Sequence, residues 1–160
     1  MRDRVLSHLA RQLASARVLL ANVLSQNEAI RKQDVERLLV RLGDLQTEMV
    51  NRRRLEFERE ALLVEAAAAL GIPLEEVDLE RILASFSERD HQLARAESAE
   101  LRGLLAEVAR VHEQNRVLIR QEMAFVDHLM RVLAGVPQGA YTPLGFGSAR
   151  QPGNVVDARA

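Results

Sequence analysis

The sequence predicts an all-α protein: an elongated antiparallel helical bundle or coiled coil of three long helices, with a short connector helix and a flexible C-terminal tail. Three observations carry this. Apolar residues recur at alternating steps of three and four through most of the first 135 positions, which is the period of a helix face. The apolar mass is mainly Leu, Ala and Val, with 3% aromatic residues and no Trp, a composition that suits helix packing better than a β-sandwich core. Gly and Pro come together as stop signals, at Gly71 with Pro73 and at Gly135 with Pro137.

The first helix is expected over 2–31. Leu6, Leu9, Leu13, Ala16, Leu20, Val23, Asn27 and Ile30 form an a/d seam, and Val5, Leu19 and Leu24 widen it enough to touch two neighbours. A tight turn follows at 31–34, where the Asp34 side chain can cap the next helix; one continuous helix is the alternative. The second helix is expected over 35–70. Its seam begins as Leu38, Leu42, Leu45 and Met49, is interrupted by Asn51-Arg52-Arg53-Arg54, and resumes out of phase as Leu55, Leu62, Ala66 and Ala69.

Within the connector, Asp78 can cap a short helix over 79–86, and Ser87-Glu88-Arg89-Asp90 resembles a capping box with Asp in place of the longer Glu. The third long helix is expected over 88–134, about 70 Å of helix. Its seam is Leu101, Leu104, Val108, Val111, Asn115, Leu118, Glu122, Phe125, Leu129 and Val132. This gives a bundle domain over 1–135. Residues 136–160, rich in Gly, Pro, Ser, Gln and Asn, bury too little to offset their ordering entropy, so they read as a tail that orders on a partner.

Charge and chemistry exclude several classes. The net charge of -1 argues against nucleic-acid binding. Residues 1–33 sum to +4 and residues 34–80 to -6, so the first two helices attract when packed antiparallel. No signal peptide and no apolar run of membrane-spanning length is present, so no membrane insertion and a cytoplasmic location are expected. With no Cys, no His-Glu-x-x-His pair and no phosphate loop, we expect no enzyme, no metal site and no cofactor. The Arg52-Arg53-Arg54 run reads as surface pairing with neighbouring acids rather than a phosphate contact.

Two features depart from plain packing. Asn27 and Asn115 both fall on seam positions, where an Asn either fixes register or meets a partner helix. Beyond Asn115, the third helix carries Leu118, Ile119, Met123, Phe125, Val126, Leu129, Met130, Val132 and Leu133 on nearly all sides. That end is either covered by the rest of the chain or kept as a docking groove, for which the two Met side chains are adaptable.

Several short stretches resemble the FlgN family of flagellar export chaperones. They are Asp34-Val35-Glu36-Arg37-Leu38; Glu113-Gln114-Asn115-Arg116-Val117-Leu118-Ile119, similar to the family's N-x-x-N-x-x-L-I with His112 at the first Asn; Tyr141-Thr142-Pro143-Leu144-Gly145; and the ending Val156-Asp157-Ala158-Arg159-Ala160. The resemblance implies a protein that binds hook-associated proteins of the FlgK and FlgL type, shields their terminal helical segments and delivers them to the flagellar export gate. By the same analogy the partner-binding residues are Asn115, Leu118, Ile119, Met123, Phe125, Val126, Leu129 and Met130, with Tyr141, Leu144 and Phe146 of the tail. The competing expectations are a generic coiled-coil adaptor, a secretion chaperone for another cargo, and a structural homodimer.

Overall fold

The computed structural model describes residues 1–133. Four α-helices follow one another, α1 (Arg2–Arg31), α2 (Val35–Leu70), α3 (Leu79–Leu83) and α4 (Glu88–Leu133), with a single 3-10 turn at Leu74–Glu76 and no strand among the described residues. The chain divides into two units, Met1–Met123 and Ala124–Ala160. The first holds the bundle; the described part of the second is the last turns of α4. The expected helix stop at Gly135 and Pro137, and the expected tail, lie outside the described residues.

The turn between α1 and α2 forms without glycine. Gln33 takes the left-handed conformation, with φ of 54°. Its N–H bonds the Ile30 carbonyl at 3.0 Å, and the Asp34 N–H bonds the Ala29 carbonyl at 2.9 Å, the paired bonds of a Schellman stop. Asp34 then caps α2 as expected, its carboxylate accepting from the Arg37 N–H at 2.9 Å. At the far end of α2, Gly71 has φ of 69°, and the Gly71 and Ile72 N–H groups both reach the Ala67 carbonyl.

Cross-helix bonds fix the directions. Arg4 pairs with Glu65, Arg11 with Glu58 at 2.7 Å, Ser15 with Glu48, and the Gln26 amide donates to the Arg41 carbonyl at 3.4 Å. Rising numbers in α1 meet falling numbers in α2, so this pair is antiparallel, with the basic first helix against the acidic second. Arg2–Asp90, Arg17–Glu100, Asn27–Asn115 and Gln33–Glu122 rise together, so α1 and α4 run parallel, as up-down-up topology requires.

α1 is the central rod, and it carries two adjacent lines of inward residues. The expected seam contributes Leu13, Ala16, Val23 and Ile30 as buried side chains. One position earlier runs a second line at the same spacing, and all eight of its members are buried: Val5, His8, Gln12, Ser15, Leu19, Asn22, Gln26 and Ala29. Polar members of this line bond or approach α2, through Ser15 to Glu48, Gln26 to Arg41, and His8 towards Glu58. Small and polar side chains here let the α1 and α2 backbones approach closely.

Three expectations are corrected. The apparent phase slip in α2 is two faces of one unbroken helix. Leu55, Leu62 and Ala66 are buried, whereas Leu42, Met49 and Ala69 are exposed. The α1-facing side of the first half of α2 is instead built around Leu38, Arg41, Leu45, Glu48 and Arg52, all half-buried. Leu24, expected to widen the α1 stripe, is exposed. Finally, α3 ends at Leu83 rather than at 86. The Ser85 hydroxyl donates to the Ile82 carbonyl, the Phe86 N–H turns back to Leu83, and the Phe86 ring packs on the cluster of Val5, Leu62, Ala66 and Ile82. Burying that ring against the foot of the bundle outweighs one more helical turn.

Candidate partner-binding surface

The upper part of α4 is where the expected site residues fall, and their surroundings change along the helix. Ser87 opens it by accepting from the Asp90 N–H at 3.2 Å, while its hydroxyl donates to the Asp90 carboxylate at 2.6 Å. The shorter Asp thus accepts a hydrogen bond from the hydroxyl, where Glu would reach back to the backbone. Glu80 of α3 anchors this end through Arg95 and His91, which together hold its carboxyl down to about 2.

Further along, Ala94, Val111 and Asn115 are the buried residues of α4. The Asn27 amide donates to Asn115 Oδ1 at 2.7 Å, and the Asn115 amide donates to the Val23 carbonyl at 2.9 Å. Asn115 is 3% exposed. Both of its polar ends are engaged inside the chain, which supports the register reading; in this conformation it offers no surface to a partner.

Past Asn115 the cover ends. Leu118 is half-buried and helps to line a groove of about 560 Å³ with Val117, Arg31, Arg110, Glu113 and Gln114. Its lining combines two apolar side chains with charged groups of both signs. Ile119 and Met123, still in the first unit, are exposed. In the second unit Phe125, Val126, Leu129, Met130, Val132 and Leu133 are all exposed. Their spacing places them on one broad arc of the helix, with Asp127 and Arg131 on the opposite side. Among the described residues these apolar side chains are therefore exposed rather than packed. Tyr141, Leu144 and Phe146 lie outside the described residues.

Sequence reasoning missed two things. The first is the buried polar line of α1, whose three-four spacing is present in the residue numbers but whose members His8, Gln12, Ser15, Asn22 and Gln26 are not apolar. His8 shows how such a residue is tolerated. Its Nε2 accepts from the Gln12 amide at 2.9 Å, which requires that nitrogen to be unprotonated, and burial pushes its pKa below the ordinary 6.5. The second is an exposed apolar face along the length of α2, containing Leu39, Val50 and Phe57.

Within the Arg52-Arg53-Arg54 run, Arg54 bonds Asn51 at 3.0 Å and lies 4.0 Å from Glu58, whereas Arg52 is half-buried on the side of α2 that faces α1. No group of three or more His, Cys, Asp or Glu among the described residues is placed to hold a metal. No described helix is long and apolar enough to cross a membrane. In comparisons with known proteins, no curated protein and no solved structure matches the chain. One family model does, described as FlgN protein, and it covers residues 1–146.

Proposed function

Because the chain belongs to the FlgN family, with its general role in flagellar export chaperoning, we propose that it holds hook-associated proteins of the FlgK and FlgL type in the cytoplasm and presents them to the export gate. The observation that carries this reading is the exposed apolar end of α4. From Ile119 to Leu133 every residue is exposed, and seven of the apolar ones are at least 43% exposed: Met123, Phe125, Val126, Leu129, Met130, Val132 and Leu133.

A patch of that kind is costly on a chain that works alone, and it suits an amphipathic helix laid into a groove. Cargo segments that become helical in the assembled filament expose an apolar face before assembly. Covering that face with Leu118, Ile119, Met123, Phe125, Val126, Leu129 and Met130 prevents premature association, and binding alone accomplishes it. Met123 and Met130 let one surface repack around related cargo faces. Tyr141, Leu144 and Phe146 of the tail extend the same binding region in this proposal.

The test is calorimetric titration of a FlgK or FlgL terminal segment into the wild-type chain and into Phe125→Glu with Met130→Glu. Both side chains are exposed, so the variant should keep the wild-type melting temperature. Its affinity should fall by at least about 100-fold, the scale of losing two central apolar anchors. Equal affinity for both chains would refute the assignment of this surface.

A further inference from the structure

The foot of the bundle holds a cavity of about 360 Å³ that the chaperone reading leaves unused, between α1, α2, α4 and the stretch from Val77 to Ile82. Its walls include Leu9, Leu63, Val77, Leu79 and Leu101. All five are only half-buried, so they lack the neighbours that a closed core would give them. We propose that this cavity seats one large apolar side chain of a second protein, carried on a basic segment.

The polar part of the lining is already engaged. The Gln12 amide donates to His8 Nε2 at 2.9 Å, Asp78 accepts from the Arg81 N–H at 2.8 Å, and Arg59 donates to Glu56 at 2.8 Å. His8 and Gln12 are both buried, so their mutual bond is held in the interior. With these four groups committed to neighbours, the cavity selects for an apolar occupant. Its volume, at the low end for a ligand pocket, suits one or two side chains better than an extended molecule.

Charge around the cavity decides what carries that side chain. Residues 56–80, which supply the α2 wall and much of the connector wall, contain eight acidic residues and one Arg. Five of the acids are paired: Glu56 with Arg59, Glu58 with Arg11, Glu65 with Arg4, Glu76 with Arg81 and Glu80 with Arg95. Glu60, Glu75 and Asp78 are exposed and form no ion pair among the described residues. That surplus repels an acidic segment and attracts Lys or Arg on either side of an apolar anchor. Leu101 lies about 26 Å before Leu118 along α4, so the cavity and the groove at Leu118 can be filled at the same time.

The test is methyl NMR on the full chain at low salt, with a blocked peptide of one Phe flanked on each side by two Lys as the probe. It should shift the methyl signals of Leu63, Val77 and Leu101 saturably. Exchanging its Phe for Ala, or its Lys for Glu, should each weaken binding by at least about 10-fold. Val77→Phe fills the cavity from within, and should weaken binding of the Phe peptide by at least about 10-fold without lowering the melting temperature. Glu60→Lys with Glu75→Lys changes two exposed side chains and leaves the cavity intact. That variant should prefer the Glu-flanked peptide over the Lys-flanked one. No saturable shift at these methyls, equal binding of the Phe and Ala peptides, unchanged affinity in a folded Val77→Phe chain, or an unchanged flank preference after the two Lys substitutions would each overturn the proposal. So would toluene binding as tightly as the Lys-flanked peptide, which would make this a small-molecule cavity. Displacement of the peptide by a FlgK or FlgL terminal segment would overturn it too, by making the foot part of the cargo surface.

Discussion

α1 and α2 are both leucine-lined, yet α1 buries 12 of its 30 residues and α2 buries 3 of its 36. The difference lies in neighbours. α1 lies between α2 and α4, so two adjacent lines of its surface are covered, one leucine-rich and one largely polar. Only one side of α2 lies against α1, so more than half of its apolar residues are exposed. A periodic stripe locates a face of a helix; it does not say whether the chain itself, a second copy or a partner will cover it.

The largest break in this comparison comes from truncating the central rod. Leu13→Ala removes a buried seam side chain and should cost about 2–4 kcal/mol, whereas Leu39→Ala on the open face of α2 should stay within about 0.5 kcal/mol when melted in urea at concentrations too low for self-association. Equal losses would mean that the outer face of α2 is folded against something in the single chain. Next in size is the buried amide pair. Asn115→Ala leaves the Asn27 amide without its partner and should cost about 1–3 kcal/mol. Replacing both Asn27 and Asn115 by Leu should recover that stability while loosening the register of α1 on α4, visible as duplicated NMR signals for residues near Val23.

The smallest expected effect is a slope with pH. His8 is held below its ordinary 6.5 in the folded chain by burial. As pH falls, the unfolded chain therefore takes up the proton first. The stabilising contribution is complete above about 6.5 and is lost as pH falls through the lower folded value. The carboxyls of Glu28, Glu80 and Glu107 are shifted down from 4.5, so they add little in that window. In thermal melts between about pH 7 and pH 5, His8→Leu should flatten the decline; an unchanged slope would place its cause elsewhere.

Much of the architecture was legible in the residues. The bounds of α1 and α2 follow from the three-four period, from Asp34 as a cap and from Gly71 as a stop, because local signals set helix ends. The role of Asn27 and Asn115 was readable as one of two alternatives, since seam position alone cannot tell a buried amide from a docking one. What escaped was which polar residues are buried. Ser15, Asn22 and Gln26 carry no hydropathy signal, and their burial depends on bonds or packing against a helix distant in sequence. The early end of α3 escaped for the same reason: Phe86 turns inward to meet Val5 and Leu62, which lie far from it along the chain. The open end of α4 was visible as a surplus of apolar residues, and only the structure separates surplus from core.

The central proposal is that the distal part of α4, whose apolar side chains are exposed, receives a cargo helix. Mapping backbone NMR shifts across the full chain as a FlgK or FlgL terminal segment is added tests this most directly. Shifts and line broadening concentrated over 117–133, with the outer face of α2 undisturbed, are the expected result. Perturbation confined to residues 1–90, or centred on Leu39, Val50 and Phe57, would contradict it.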